Sequence, residues 1–321
     1  MLYRAHFQLT GRCNLACRFC GQNKGMLASG RAEIAFDRWL ELAAELAEFA
    51  QAAERRPEVM LWGGEPLLYP HFSELACRLH ENGFMVGVVT NATLVNRHAE
   101  AFNRCIDCIY VSMDGYGVEH DAVRGAGVFE RVCKNLALLR HRRGKLIFLT
   151  TVSDANVEHL AELPALLAKL GPDEIVLQQL MYLSESEISA YRSYSRKEFG
   201  CDYPELEVWH REDDRAYLTA LQRELNIIND TVYPVPVRFT SHRYPKMADV
   251  PACEAPLNRV HIRHDGAVGF CTDYFGFSAG NIHDMTLREI FFSDRAERYR
   301  MAVRQGCLPI CDHCPWHLQY S

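Results

Sequence analysis

No apolar run in the 321-residue chain approaches the roughly 20 residues needed to span a bilayer. The opening stretch, Met1 to Thr10, contains Arg4, His6 and Gln8 and so lacks the apolar segment of a secretory signal. Basic residues are not in excess. The net charge of −6 provides no electrostatic footprint for nucleic acid. These absences point to a cytoplasmic protein with neither membrane nor nucleic acid as partner. In such a reducing compartment, disulfides are not expected and clustered thiols read as metal ligands. Apolar content of 48% and charged content of 24% are ordinary for a folded chain. Against this background, thirteen cysteines stand out. Eight fall in two groups near the termini. Cys77, Cys105, Cys108, Cys133 and Cys201 are scattered and read as small buried apolar residues.

The length suggests two domains, at roughly 100–200 residues each. Up to about residue 183, strand and helix patterns alternate. Tyr3, Ala5, Phe7 and Leu9 alternate with polar neighbours, as a strand does. Trp39, Leu42, Leu46 and Phe49 share one face of a helix spanning Ile34–Glu54. Further strands are predicted at Val59–Trp62, Phe84–Val89, Ile109–Met113, Lys145–Val152 and Glu174–Met181. Helices are predicted at Phe72–Asn82, Asn96–Arg104, Val128–Arg143 and Val157–Leu170. Six units of roughly 30 residues, the size of a βαβ repeat, predict an α/β fold, a partial (β/α)6 TIM-like barrel or its doubly wound relative. In either, chemistry belongs at the C-terminal strand ends. Residues 184–247 read as a connecting segment or lid with one helix, Asp213–Leu225. Residues 248–321 read as a small C-terminal unit. Asp265-Gly266 turns a hairpin between Val260–Ile262 and Ala267–Phe270, and a helix follows over Leu287–Val303.

Cys13, Cys17 and Cys20 directly follow the first strand. Three thiolates are one short of a saturated cubane cluster or structural zinc, so the site keeps an open position. A zinc loop completed from a distance is the alternative. This Cys-x3-Cys-x2-Cys loop, with Phe19 before its last cysteine, resembles that of the radical S-adenosylmethionine superfamily. The resemblance implies a [4Fe–4S] cluster whose open iron chelates S-adenosylmethionine, giving a 5′-deoxyadenosyl radical that takes hydrogen from a substrate. It extends to Gly63-Gly64-Glu65-Pro66, where glycines permit close backbone approach and Glu65 offers an acceptor for the cofactor ammonium. Thr90-Asn91, Ser112 and Asp114 match positions lining the cofactor. Arg124, twelve residues after Ser112, matches the position whose guanidinium can pair with the cofactor carboxylate, a surface loop arginine being the alternative. Leu180, with Gln178 or Gln179, is placed near the adenosine or substrate.

Cys253, Cys271, Cys311 and Cys314 resemble the ligands of a SPASM/twitch extension. The resemblance implies one fully ligated auxiliary [4Fe–4S] cluster, with Cys307 a possible substitute ligand; a zinc ribbon is the rival. The implied reaction is oxidation or epimerisation of a small polar molecule. Oxidation would want a base, for which Asp273 is the candidate. Epimerisation would want a thiol hydrogen donor, Cys201 or Cys307. Electrons would come from a flavodoxin- or ferredoxin-type reductant. A peptide substrate is the alternative; because the first strand starts at about residue 2, a leader-binding domain is expected to be a separate partner. A zinc- or cluster-bound electron-transfer or structural protein is the reading from another class.

Overall fold

A computed structural model describes residues 1–21, 33–240, 253–274, 276–305 and 311. Cys307 and Cys314, two of the expected ligand positions, lie outside the described residues.

Strand and helix alternate through the first half. β1 (Arg4–Gln8), α1 (Phe36–Ala52), β2 (Glu58–Trp62), α2 (Phe72–Glu81), β3 (Met85–Thr90), α3 (Ala99–Arg104) and β4 (Cys108–Ser112) follow in turn. Then come α4 (Val118–Arg124), α5 (Val128–Leu136), β5 (Lys145–Val152), α6 (Leu163–Ala168) and β6 (Glu174–Gln179). Neighbouring strands from β1 to β6 pair in parallel, the arrangement expected of a partial TIM-like barrel. The side chains sort by strand period. Phe7, Val59, Leu61, Val86, Val88, Ile109 and Val111 are buried in the core beneath the helices, and Phe7 stacks on Trp39 of α1 at 4.6 Å. The opposite face carries His6, Met60, Trp62, Tyr110 and Ser112, all only partly buried. A closed barrel fills its interior with layers of side chains; here the inner face stays accessible beside the C-terminal strand ends.

Residues 184–240 are more regular than their composition suggests. α7 (Glu185–Phe199) starts in a capping box between Ser184 and Glu187, which satisfies donors at the helix start. α8 (Arg215–Asp230) covers the expected helix, and β7 (Val237–Thr240) pairs in parallel with β6. The small α9 (Ala255–Asn258) then leads into β8 (Arg259–Ile262), which pairs in parallel with β1, Arg4 opposite Arg259. β9 (Ala267–Gly269) and β10 (Gly280–Asn281) add antiparallel partners, giving one ten-stranded sheet among the described residues. The helix expected over Leu287–Val303 is two: α10 (Leu287–Phe291) and α11 (Asp294–Arg304). The break lies at Ser293, whose hydroxyl caps α11 by accepting from the Ala296 N–H at 3.1 Å.

The reading of the scattered cysteines as small buried residues is overturned: Cys108, Cys133 and Cys201 are only partly buried, and the other two pair. Cys77 and Cys105 form a disulfide rather than standing as separate buried thiols. Cys77 is on α2 and Cys105 ends α3; packing these outer helices brings the two Cα atoms to 4.9 Å, within bridging range. Among the described residues, no helix is long and apolar enough to cross a membrane.

Candidate active site

The loop that leaves β1 is gripped by the backbone that leaves β2. The Gly64 N–H donates to the Thr10 carbonyl and the Glu65 N–H to the Arg12 carbonyl, each at 2.8 Å. A Cβ on Gly64 would collide with the Arg12 carbonyl oxygen, and one on Gly63 with that of Thr10. Glycine at both positions is therefore a requirement of close approach. This contact holds the segment carrying Cys13, Cys17 and Cys20 against the end of the sheet.

Glu65 is 1% exposed, and its carboxylate is already engaged. Oε1 accepts from the Leu67 N–H at 3.1 Å and the Thr90 hydroxyl at 2.7 Å, while Oε2 accepts from the Asn91 N–H at 2.8 Å. Burial outweighs these donors and raises its pKa to about 7. Glu65 thus ties the end of β2 to the end of β3 before any ligand arrives. Asn91 in turn donates through Nδ2 to Asn14 at 3.0 Å and towards Cys13 Sγ at 3.9 Å. Cys13 Sγ also receives the Leu15 N–H at 3.5 Å.

Cys17 has its own donor. Arg124 closes α4 at 9% exposure, not on an open surface loop, and gives Nε to the fully buried Asp114 at 2.6 Å. Its Nη1 reaches Cys17 Sγ at 3.7 Å, and its guanidinium lies 5.9 Å from the Phe19 ring centre. The other oxygen of Asp114 accepts the Thr151 N–H at 2.8 Å. Ser112 is partly buried on the inner face of β4. The register also resolves the end of β6: Gln179 is buried, whereas Gln178 and Leu180 stay partly exposed. Sequence reading missed Asn14, Thr151 and His120, the last a buried imidazole whose Nδ1 accepts the Asp114 N–H at 3.2 Å. None sits in a spacing that marks it.

The chemistry of the thiols fits a cluster. Burial raises the pKa of Cys13 and lifts that of Cys17 to about 11, so each would surrender its proton only to a strongly bound metal. Three thiols on one loop are a donor set that leaves a cubane cluster one open position.

In the C-terminal half, Cys253, Cys271 and Cys311 line one small cavity with Phe270, Asp273 and Tyr299. Burial pushes the Cys271 thiol up to about 12, and its sulfur accepts the Asp273 N–H at 3.4 Å. Cys201 instead turns its thiol to the Ser195 carbonyl at 3.8 Å.

Residues 7–167 match the Radical SAM superfamily, and residues 253–315 match the SPASM iron–sulfur cluster-binding domain. The chain belongs to the radical SAM superfamily. It is 24% identical over 340 residues to the tungsten-containing aldehyde ferredoxin oxidoreductase cofactor-modifying protein of Pyrococcus furiosus, covering 96% of this chain and 86% of that one. It is 31% identical to the mycofactocin maturase of Mycobacterium ulcerans over 51% of this chain and 44% of the relative. Among solved structures, Streptococcus suis SuiB superposes with a TM-score of 0.69 at 14% identity, over 98% of this chain and 72% of SuiB. SuiB has also been solved bound to S-adenosylmethionine and to its precursor peptide SuiA. This radical SAM enzyme accordingly uses S-adenosylmethionine and iron–sulfur clusters, with a SPASM region that binds cluster in its C-terminal part.

Proposed function

We propose that the chain holds its S-adenosylmethionine-cleaving cluster on Cys13, Cys17 and Cys20. We assign one auxiliary [4Fe–4S] cluster to Cys253, Cys271, Cys311 and Cys314, and oxidation of a small polar substrate as the reaction. When bound and reduced, the first cluster supplies the electron that cleaves S-adenosylmethionine to the hydrogen-abstracting radical. The residues of the chain hold and orient. Gly63 and Gly64 let the cluster loop approach the sheet. Glu65 sets the separation of the β2 and β3 ends, and its remaining acceptor capacity is available to an ammonium. Thr90, Asn91, Ser112, Asp114 and Leu180 frame the cofactor, and the partly exposed inner face beside them receives the substrate. The observation that carries this reading is the three-cysteine loop, clamped by the Gly64 and Glu65 backbone at the mouth of an accessible inner face.

Asp273 is the base in this reading because it lines the same cavity as Cys271. The thiol of Cys201, kept protonated by burial, would serve an epimerisation instead. A flavodoxin- or ferredoxin-type reductant and a cytoplasmic setting complete the proposal. A peptide substrate brought by a separate leader-binding partner is the second reading, favoured by the likeness to SuiB, which has been solved with its precursor peptide.

The test is anaerobic. The reconstituted chain should carry about eight irons and form 5′-deoxyadenosine from S-adenosylmethionine under dithionite. Cys17→Ser should abolish that product, whereas Cys271→Ser should keep cleavage and lose about four irons. A wild-type chain with eight irons and no cleavage would refute the reading. Stimulation of 5′-deoxyadenosine release by peptides but not by small polar molecules would favour the second.

A further inference from the structure

We propose that Arg124 is a positioning residue for the N-terminal cluster: clamped by Asp114, it donates to the Cys17 sulfur and raises the reduction potential of the cluster bound there. The inference rests on the reading that Cys17 is a cluster ligand. It goes beyond a contact between Arg124 and the cofactor carboxylate, because the guanidinium already faces the sulfur with no cofactor needed to place it.

The geometry leaves the side chain little choice. Nε is fixed at 2.6 Å to Asp114, whose second oxygen is pinned at 2.8 Å by the Thr151 N–H. In a planar fork, fixing Nε fixes the direction of the other nitrogens, and Nη1 then lies 3.7 Å from Cys17 Sγ. Arg124 is 9% exposed and Asp114 0%. A buried ion pair of this kind is a costly way to hold a fold together, whereas an arginine aimed at a sulfur has a use. Reduction adds negative charge to a cluster and its sulfurs. A buried cation with an N–H directed at a ligand sulfur stabilises that added electron, and hydrogen bonds to sulfur are among the determinants of cluster potential. Lysine could supply charge but not both fixed donors.

The experiment is an EPR-monitored redox titration of the anaerobically reconstituted full chain without S-adenosylmethionine. The N-terminal signal is identified as the one that S-adenosylmethionine later perturbs. Arg124→Gln should lower the reduced fraction at a fixed potential about tenfold, equivalent to about 59 mV for one electron, with Arg124→Lys between it and wild type. Loss of that cluster in Arg124→Gln, with its retention in Arg124→Lys, would support the same role through the Cys17 thiolate. An unchanged midpoint in Arg124→Gln, with weakened S-adenosylmethionine binding by calorimetry, would overturn it and leave Arg124 to the cofactor carboxylate. Loss of cluster and of helical circular dichroism in both variants would overturn it in favour of a folding role. If wild type itself shows no signal sensitive to S-adenosylmethionine, the cluster assignment has failed rather than the role of Arg124.

Discussion

At the scale of single residues, the polar groups beside the loop of Cys13, Cys17 and Cys20 are mostly spent on one another. Glu65 illustrates the consequence. Its folded-state pKa of about 7 lies above the ordinary carboxyl value of about 4.3, so the folded chain binds this proton more tightly than the unfolded one. Stability from this group is therefore complete below about pH 4.3 and falls as pH rises towards 7, by about 4 kcal/mol in all. Without S-adenosylmethionine, wild type should lose stability relative to Glu65→Gln between pH 5 and pH 8, read as urea midpoints at each pH. Parallel profiles would show that burial does not govern this carboxyl.

At the scale of elements, the decisive contact is between the backbone leaving β2 and the loop leaving β1. Replacing Gly64 adds only a methyl group, but the atom it meets is the Arg12 carbonyl, which cannot rotate away as a side chain can. Gly64→Ala should displace the cysteine loop. The expected result is loss of about four irons and of S-adenosylmethionine binding, with the auxiliary cluster retained. Gly83, by contrast, has φ +83° with nothing within 4 Å of an added Cβ. Gly83→Ala should cost about 1 kcal/mol from the left-handed backbone and leave iron content unchanged. Thermal melts with iron analysis separate the two outcomes.

At the scale of the whole molecule, two long-range links deserve weight. β8 places the C-terminal cysteine segment in the same sheet that carries the N-terminal loop, directly beside β1. His264, just past β8, reinforces the join: its ring stands 3.0 Å from where a Cβ on Gly11 would lie. The second link is the Cys77–Cys105 bridge, which closes 28 residues. A loop of that length restricts the unfolded chain by about 3.5 kcal/mol in the chain-entropy account. Cys77→Ser should lower stability by up to that amount in oxidising buffer and by little in dithiothreitol. Equal denaturation midpoints for wild type with and without reductant would contradict a stabilising bridge.

Local spacing was enough to mark Cys13, Cys17 and Cys20, the Gly63-Gly64 turn, the parallel strands up to β6 and the hairpin at Asp265-Gly266. Each depends on residues close in the chain, where periodicity and turn chemistry act. Tertiary structure alone decided which groups meet from afar. It joined Cys77 to Cys105, whose apolar settings look alike one by one, and carried β8 across more than half the chain to lie beside β1. It turned a mixed, aromatic connecting segment into α7, α8 and β7, because Tyr191, Tyr217 and Leu221 find buried partners only against the rest of the fold. It also gave Arg124 two partners, Asp114 and Cys17. A motif can say that a guanidinium is present, but what it touches depends on the packing of α4 against β4 and the cysteine loop.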